Sequence, residues 1–210
     1  QPDDALQRQA ILAELLAARG ISSFRLVRDI NGKPVLDVTP PQFISYSFAH
    51  SRDATLPFGV IGLSDGADLG VDCTAWPEAA PDPDFWTSIA APEEEHLMPQ
   101  LSGDARILWV IKESALKCVG EVMIDPRHIA AGVAANGIVC VMTSSIVRKP
   151  LPKVFVRLFE LYPPGQDGIR FLLSVASPDA NFLVHMRELT WRRVALNLFV
   201  KPQNRKITYL

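Results

Sequence analysis

A stretch of nine residues, from Trp109 to Lys117, places two lysines and one glutamate inside an otherwise apolar run. In a helix, Glu113 and Lys117 stand four residues apart and share one face. Charged side chains on a half-buried helix lose hydration energy unless a partner compensates for the loss. The spacing fits an ordinary surface ion pair, which contributes only about 0.2–0.5 kcal/mol. It also fits a metal ion with an anionic substrate, and a second element is needed to favour that interpretation.

The second element is an apolar strand, Leu69-Gly70-Val71-Asp72, which closes on a lone carboxylate. Two carboxylates brought together repel each other and are stable together mainly around a cation. Mg²⁺ prefers oxygen ligands and keeps several waters, so Asp72 and Glu113 are candidate Mg²⁺ ligands. Two neighbouring lysines, Lys112 and Lys117, would suit phosphate oxygens or a leaving group. The combination predicts a phosphate-transfer site, where positioning and charge neutralisation supply most of the rate.

Four motifs in this chain resemble those of the 4'-phosphopantetheinyl transferases. The first two are Gly70-Val71-Asp72 and Trp109-x-x-Lys112-Glu113-Ser114-x-x-Lys117, with 41 positions between Asp72 and Glu113. The upstream elements Gly32-Lys33-Pro34 and Phe48-Ala49-His50-Ser51 resemble two further motifs of the family. All four occur in the family order within residues 32–117, and the length of 210 residues is similar to that of the monomeric, double-length branch.

The resemblance implies that the phosphopantetheine arm of coenzyme A is transferred to a serine of an acyl or peptidyl carrier protein, with release of 3',5'-ADP. It implies that Asp72 and Glu113 hold Mg²⁺ on the pyrophosphate, and that Glu113 or a metal-bound water takes the serine proton. Lys117 would offset charge on the α-phosphate or protonate the leaving group. The remaining coenzyme A contacts implied are Lys112 to a phosphate, His50 to the 3'-phosphate, and Lys33 and Pro34 to the adenosine end.

Two positions depart from the family pattern. Many members carry a second acid two residues after the aspartate, where this chain has Thr74, so one metal ligand is lost or replaced by water. A hydroxyl side chain precedes the family histidine, where this chain has Ala49, so one phosphate hydrogen bond is missing. These departures leave open a weak or inactive relative that binds coenzyme A or a carrier. A structural domain of a larger synthase is a third possibility.

The elements that must position these residues predict an α+β fold. Helical periodicity covers residues 4–18 and 104–119, and shorter helices are expected near residues 84 and 92. The turn at Asp65-Gly66 predicts that the strands flanking it, 58–63 and 69–73, pair antiparallel. The run Glu93-Glu94-Glu95 is interpreted as a solvated helix start. The other predicted strands are 24–28, 35–38, 43–48, 138–142, 154–161, 169–176, 182–186, 194–200 and 207–210.

A helix–strand–loop–strand order occurs in both halves of the chain and indicates an internal duplication. We therefore predict two similar half-domains, residues 1–105 and 106–210, related by pseudo-twofold symmetry. Each would be a small antiparallel sheet packed with helices, with the site in the cleft between them. The first half would supply the adenosine and 3'-phosphate contacts and Asp72, and the second half would supply the catalytic helix and the carrier-docking surface.

The distribution of charge differs between the two halves. Residues 1–105 carry a net charge of −10, whereas residues 106–210 carry +8. This asymmetry fits an anionic partner near the second half, and it fits equally two halves that neutralise each other. A basic stretch near the C-terminus is a candidate docking surface for an acidic carrier protein. Its residues are Arg187, Arg192, Arg193, Lys201, Arg205 and Lys206.

The composition excludes several other classes of protein. The net charge of −2 and the lack of basic residues interleaved with aromatic ones argue against nucleic acid as a partner. No apolar run is long enough for a membrane span. Three cysteines without CxxC spacing favour a reduced cytoplasmic protein, with neither a zinc site nor a disulfide framework. We expect a monomer.

Overall fold

The described part of the chain forms an α+β fold with small antiparallel sheets and few helices. The helices are α1 (Pro2–Ala17), α2 (Pro83–Ile89) and α3 (Ala105–Val119), and short 3-10 helices cover Pro92–Leu97 and Pro126–His128. The strands are β1 (Ser23–Arg28), β2 (Pro34–Thr39), β3 (Ser45–His50), β4 (Gly59–Ser64), β5 (Gly70–Trp76), β6 (Ile129–Val133), β7 (Val139–Thr143), β8 (Val154–Leu161), β9 (Arg170–Ser177), β10 (Trp191–Arg192) and β11 (Phe199–Val200).

The coordinates are those of a computed structural model, which describes a defined subset of the sequence. No described helix is long and apolar enough to cross a membrane. The described residues are 2–50, 59–76, 83–101, 104–121, 124–133, 139–143, 151–162, 170–182, 191–192 and 199–200.

Helix α3 is the centre of the fold and packs against a five-stranded antiparallel sheet of order β5-β9-β8-β7-β6. Leu108, Ile111 and Ala115, spaced three and four residues apart, are buried on its apolar face. The helix begins after Asp104, whose side chain accepts a hydrogen bond from the backbone N–H of Arg106 at 2.9 Å. It ends at Gly120, whose φ of 81° is a left-handed conformation that favours glycine. The predicted helix over 104–119 is confirmed.

Strand β5 approaches α3 unusually closely at Gly70. A Cβ atom built on Gly70 would lie 1.9 Å from the carbonyl oxygen of Ser114 and 2.5 Å from the backbone nitrogen of Cys118. Only a residue without a side chain permits this approach. Asp72 lies two residues further along β5 and therefore on the same, helix-facing side of the strand.

The antiparallel pair predicted for strands 58–63 and 69–73 is wrong. Strand β4 pairs with β3, and β5 pairs with β9. Instead of hydrogen-bonding to β5, β4 packs over its side chains: a Cβ on Gly62 would lie 2.6 Å from the Leu69 side chain and 2.7 Å from that of Val71. The short turn at residues 65–66 therefore joins strands of two different sheets.

Two serine hydroxyls of β3 take the place of a neighbouring strand along β5. Ser45 Oγ accepts a hydrogen bond from the backbone N–H of Leu69, and Ser47 Oγ accepts one from Val71, both at 2.9 Å. These buried N–H groups need partners, and the hydroxyls supply them where a β4–β5 ladder would have done so. The next position on the same face of β3 is Ala49, which cannot extend this series.

The N-terminal elements form a smaller layer. Strands β1 and β2, which cover the predicted strands 24–28 and 35–38, form an antiparallel hairpin around Asn31-Gly32, and α1 covers a separate apolar cluster. Members of that cluster come from α1, β2 and β3 and the segments beside them: Leu12, Leu16, Ile21, Leu36, Val38, Ile44 and Tyr46.

The five-stranded sheet joins both halves of the chain, because β5 precedes residue 105 and its neighbours β9, β8, β7 and β6 follow it. The antiparallel sheets fit the predicted class, while the pseudo-twofold relation between halves stays a prediction. The predicted strand 207–210 lies outside the described residues, as do all but the first residue of the predicted strand 182–186 and most of 194–200. So do Arg187, Arg193, Lys201, Arg205 and Lys206 of the basic stretch, and the side chain of Arg192.

Candidate functional site

The structure brings two of the predicted site residues into direct contact. Lys117 Nζ, in the last turn of α3, lies 2.6 Å from Asp72 Oδ1 on β5 and forms a salt bridge with it. The pair is only partly accessible, with 26% of the Lys117 side chain and 11% of the Asp72 side chain exposed. This contact joins the Gly-Val-Asp motif to the helical motif across 45 positions of sequence.

The pKa of Asp72 is raised, chiefly because burial removes water from the carboxylate. The positive charge of Lys117, its hydrogen bond, the backbone N–H of Cys73 and the charge of His50 all lower the pKa and offset part of this rise. His50 is therefore within electrostatic reach of Asp72. The charged form of Asp72 depends on a nearby cation.

Glu113 stands one helical turn before Lys117 on the same face of α3 and is half-buried. Its neighbour Ser114 shares a hydrogen bond of 2.6 Å with Ser174, and Ser174 lies directly opposite Asp72 in the β5–β9 ladder. The part of α3 that carries Glu113 therefore lies beside the part of the sheet that carries Asp72.

The donor set is compatible with Mg²⁺, provided that Asp72 and Glu113 are its only protein ligands. Both offer carboxylate oxygens, the hard donors that Mg²⁺ takes. Thr74, on the same face of β5 as Asp72, has no carboxylate to add, and its hydroxyl donates to the carbonyl of Ala75. Within the described residues no group of three or more His, Cys, Asp or Glu side chains could hold a metal. Mg²⁺ commonly keeps several waters and uses substrate phosphates, so one or two carboxylates suffice.

Lys112 does not occupy this site, which corrects the expectation that it contacts a phosphate. Five residues separate Lys112 from Lys117, so the two side chains leave the helix about 140° apart. Lys112 is fully buried and its Nζ lies 2.5 Å from Glu94 Oε2. Three backbone carbonyls complete its surroundings, those of Ile89 at 2.8 Å, Pro126 at 2.9 Å and Ile129 at 2.8 Å.

Glu94 is also fully buried, so the interpretation of the Glu93-Glu94-Glu95 run as solvated is wrong for its middle member. Besides Lys112, its carboxylate accepts hydrogen bonds from the backbone N–H of Ala91 at 2.6 Å and of Ala131 at 2.5 Å. A sequence signal existed, since proline at the first helical position and glutamate at the third mark a helix start at which the glutamate bonds back to the chain.

Lys33 connects the β1–β2 hairpin to the C-terminal end of α3. Its Nζ donates to the carbonyl oxygen of Cys118 at 2.7 Å and to Asp68 Oδ1 at 2.9 Å. The unpaired carbonyls at a helix end favour such a cation. Pro34, the first residue of β2, is half-buried beside it. The predicted contact of Lys33 with adenosine would require its ammonium to leave both acceptors.

His50 ends β3, and its ring stacks on Phe48 with ring centroids 5.6 Å apart. The guanidinium of Arg8, on α1, lies 4.7 Å from the centroid of the same Phe48 ring. The hydroxyl of Tyr46, two residues before Phe48, is buried without a hydrogen-bond partner among the described residues. Arg8 was not among the predicted site residues, although it is the single basic residue among the sixteen residues of α1.

Comparison with known proteins adds no assignment to this geometry. No protein-family model matches the chain, and no curated protein matches it. The functional interpretation depends on the four motifs and on the contacts described above.

Proposed function

We propose that this protein transfers the 4'-phosphopantetheine arm of coenzyme A to a serine of an acyl or peptidyl carrier protein in a Mg²⁺-dependent reaction. The observation that carries the proposal is the Asp72–Lys117 salt bridge of 2.6 Å. It joins two distant motifs at one place, beside the half-buried Glu113. A carboxylate pair and a partly exposed lysine are the groups that a pyrophosphate and a divalent cation require.

In this proposal the chain's own residues have separate roles. Asp72 and Glu113 would hold Mg²⁺, which supplies positive charge to the pyrophosphate of coenzyme A. Glu113 would also accept the proton of the carrier serine, because it is the carboxylate on the helix face that Lys117 shares. Lys117 places its ammonium against the α-phosphate oxygens, where negative charge grows as the leaving group departs. Lys112 contributes by holding α3 in place and not by touching the substrate.

The outer phosphate of coenzyme A is assigned to the region of His50 and Arg8. Both side chains flank the Phe48 ring, at 5.6 Å for the His50 ring and 4.7 Å for the Arg8 guanidinium. An arginine suits a phosphate because its planar donors bind two oxygens at once. We further propose a cytoplasmic location, which suits the described cysteines, Cys73 and Cys118, since both are free thiols.

The direct test is a transfer assay. The protein is incubated with coenzyme A, Mg²⁺ and a panel of carrier proteins that lack the arm, and intact-mass spectrometry should detect one added phosphopantetheine on a carrier. Glu113→Ala should abolish transfer, and Asp72→Ala should reduce it by about 100-fold or more. Asp37→Asn is the matched control, because it alters an exposed carboxylate that pairs with Arg25 on the hairpin. An absence of transfer to every carrier would refute the proposal.

A second candidate is a non-catalytic domain that binds coenzyme A or a carrier protein. Thr74 favours it, since the helix-facing side of β5 offers one carboxylate where many family members have two. Isothermal titration calorimetry with coenzyme A distinguishes the two candidates. Binding that is equally tight in Mg²⁺ and in EDTA, together with no transfer, would select the binding domain. Binding that strengthens with Mg²⁺ and accompanies transfer would select the enzyme.

A further inference from the structure

The ammonium of Lys117 cannot neutralise the charge of Asp72 and the charge of a phosphate at the same time. Its Nζ lies 2.6 Å from Asp72 Oδ1, so the charge of the ammonium is already neutralised by the carboxylate. A phosphate placed at the same ammonium would also face the negative charge of Asp72. The two roles become compatible only when another cation neutralises Asp72.

We propose that Asp72 exchanges partners: it holds Lys117 in the unliganded protein and releases it to a phosphate of the ligand when Asp72 takes a divalent cation. This inference rests on the proposed function and concerns how the same site is regulated. Asp72 thereby keeps the site closed to phosphate until the cation is present.

The surroundings of the two residues determine which of them can move. The backbone at Asp72 is held in place, because β5 is paired with β9 along its length and lies in close contact with α3 at Gly70. Lys117 lies in the last turn of α3, with 26% of its side chain exposed and a flexible four-carbon stem. The ammonium can therefore swing toward a ligand in the solvent without displacing the backbone.

Partner exchange predicts that the binding of cation and polyphosphate is positively coupled. The cation favours the state in which Lys117 is free, and polyphosphate favours the same state, so each ligand strengthens the other. A further consequence is less obvious. Removing the charge of Asp72 should strengthen polyphosphate binding in the absence of any cation, although the same change removes a proposed metal ligand.

The test is a double-mutant cycle read by isothermal titration calorimetry, with inorganic pyrophosphate as the probe and EDTA present. Asp72→Asn should bind pyrophosphate about fivefold or more tightly than the wild type. In the Lys117→Met background the same Asp72→Asn change should produce no gain, because there is no ammonium to release. Mg²⁺ should strengthen pyrophosphate binding to the wild type and have little effect on Asp72→Asn.

The cycle separates partner exchange from a general change in charge. An equal gain from Asp72→Asn in both backgrounds would overturn the inference, and so would no gain, or no pyrophosphate binding by the wild type with Mg²⁺. Asp37→Asn, the same charge change at an exposed pair, should leave pyrophosphate binding unchanged. Lys117→Gln replaces Lys117→Met if thermal melting shows that the latter is unfolded. If the arm is transferred to a carrier but Asp72→Asn does not bind pyrophosphate more tightly, the proposed function stands and the partner exchange is rejected. If Asp72→Asn binds pyrophosphate more tightly but no carrier is modified, the partner exchange stands and the proposed function is rejected.

Discussion

Helix α3 carries two lysines that meet carboxylates in different surroundings. Lys112 and Glu94 are both 0% exposed, and three backbone carbonyls and two backbone N–H groups fill the space around them. Lys117 and Asp72 form a salt bridge at nearly the same distance, 2.6 Å against 2.5 Å, but the lysine has a route to solvent. The two pairs therefore differ in what surrounds them more than in their own geometry.

The difference separates a structural pair from a functional one. Burial lowers the pKa of Lys112, and Glu94 partly offsets that effect, so the pair is stable only while both members remain. It connects α3 to both 3-10 helices, to the segment after α2 and to β6. The Asp72–Lys117 pair connects only α3 and β5, which already touch at Gly70, so we expect it to contribute little to the stability of the fold.

The largest effect is expected from Glu94→Gln. This change leaves the ammonium of Lys112 fully buried without the carboxylate that contacts it, which should lower the free energy of unfolding by about 3–5 kcal/mol. Urea unfolding followed by circular dichroism measures the loss. Glu95→Gln, an exposed neighbour, should change stability by no more than about 0.5 kcal/mol. Equal effects of the two substitutions would contradict the structural role of the pair.

Gly70→Ala should have the next largest effect, because the new methyl group would collide with the backbone of α3 at Ser114. Overpacking of this kind typically costs about 1–3 kcal/mol, and it should also separate Lys117 from Asp72. Gly66→Ala is a suitable control, since a Cβ there would meet nothing within 4 Å. Thermal melts of both variants beside the wild type provide the comparison, and a stable Gly70→Ala would show that α3 and β5 can move apart.

Asp72→Asn, the same chemical change as Glu94→Gln, should cost less than about 1 kcal/mol. Lys117 is left without its partner, but its ammonium can reach water, whereas that of Lys112 cannot. Urea unfolding at neutral pH is the measurement. A loss as large as that of Glu94→Gln would remove the distinction between the two pairs.

The smallest expected effect is a dependence on pH of the contribution that Asp72 makes to the free energy of unfolding. Its pKa in the folded state is raised above the ordinary value of 3.8, chiefly by burial, so the folded protein holds this proton more tightly than the unfolded chain does. Its contribution to stability is therefore full below pH 3.8 and is lost as the pH rises through the raised pKa. The stability of the wild type relative to Asp72→Asn should fall over that window in urea titrations at a series of pH values. A difference that does not vary with pH would contradict the raised pKa.

The sequence predicted where helices and strands lie along the chain better than it predicted which strands pair with each other. Helix α3 was predicted because Asp104 and Gly120 mark its ends and apolar residues recur at helical spacing between them. The pairing of β5 was not, because local turn chemistry at residues 65–66 favours a hairpin, while the actual partner β9 lies about a hundred residues later. Long-range pairing depends on packing that no short window of sequence contains.

The same limit applies to the candidate site. Asp72, Glu113 and Lys117 could be grouped because they lie in motifs that resemble those of one family, and the structure places two of them in a salt bridge. Lys112 was assigned to the wrong surroundings, although it follows Leu108 by four residues and so falls on the buried face of the helix. Its partner Glu94 could not be chosen from three consecutive glutamates by charge alone.

The hydroxyl groups of Ser45 and Ser47 also bear on how the protein resists association with other chains. An open strand edge offers unpaired N–H groups to any extended peptide and is a common starting point for aggregation. At the start of β5 the N–H groups of Leu69, the residue before the strand, and of Val71 donate to these serines, each at 2.9 Å. These two N–H groups are therefore not available to an extended peptide, and alanine at both serine positions would leave them buried without an acceptor.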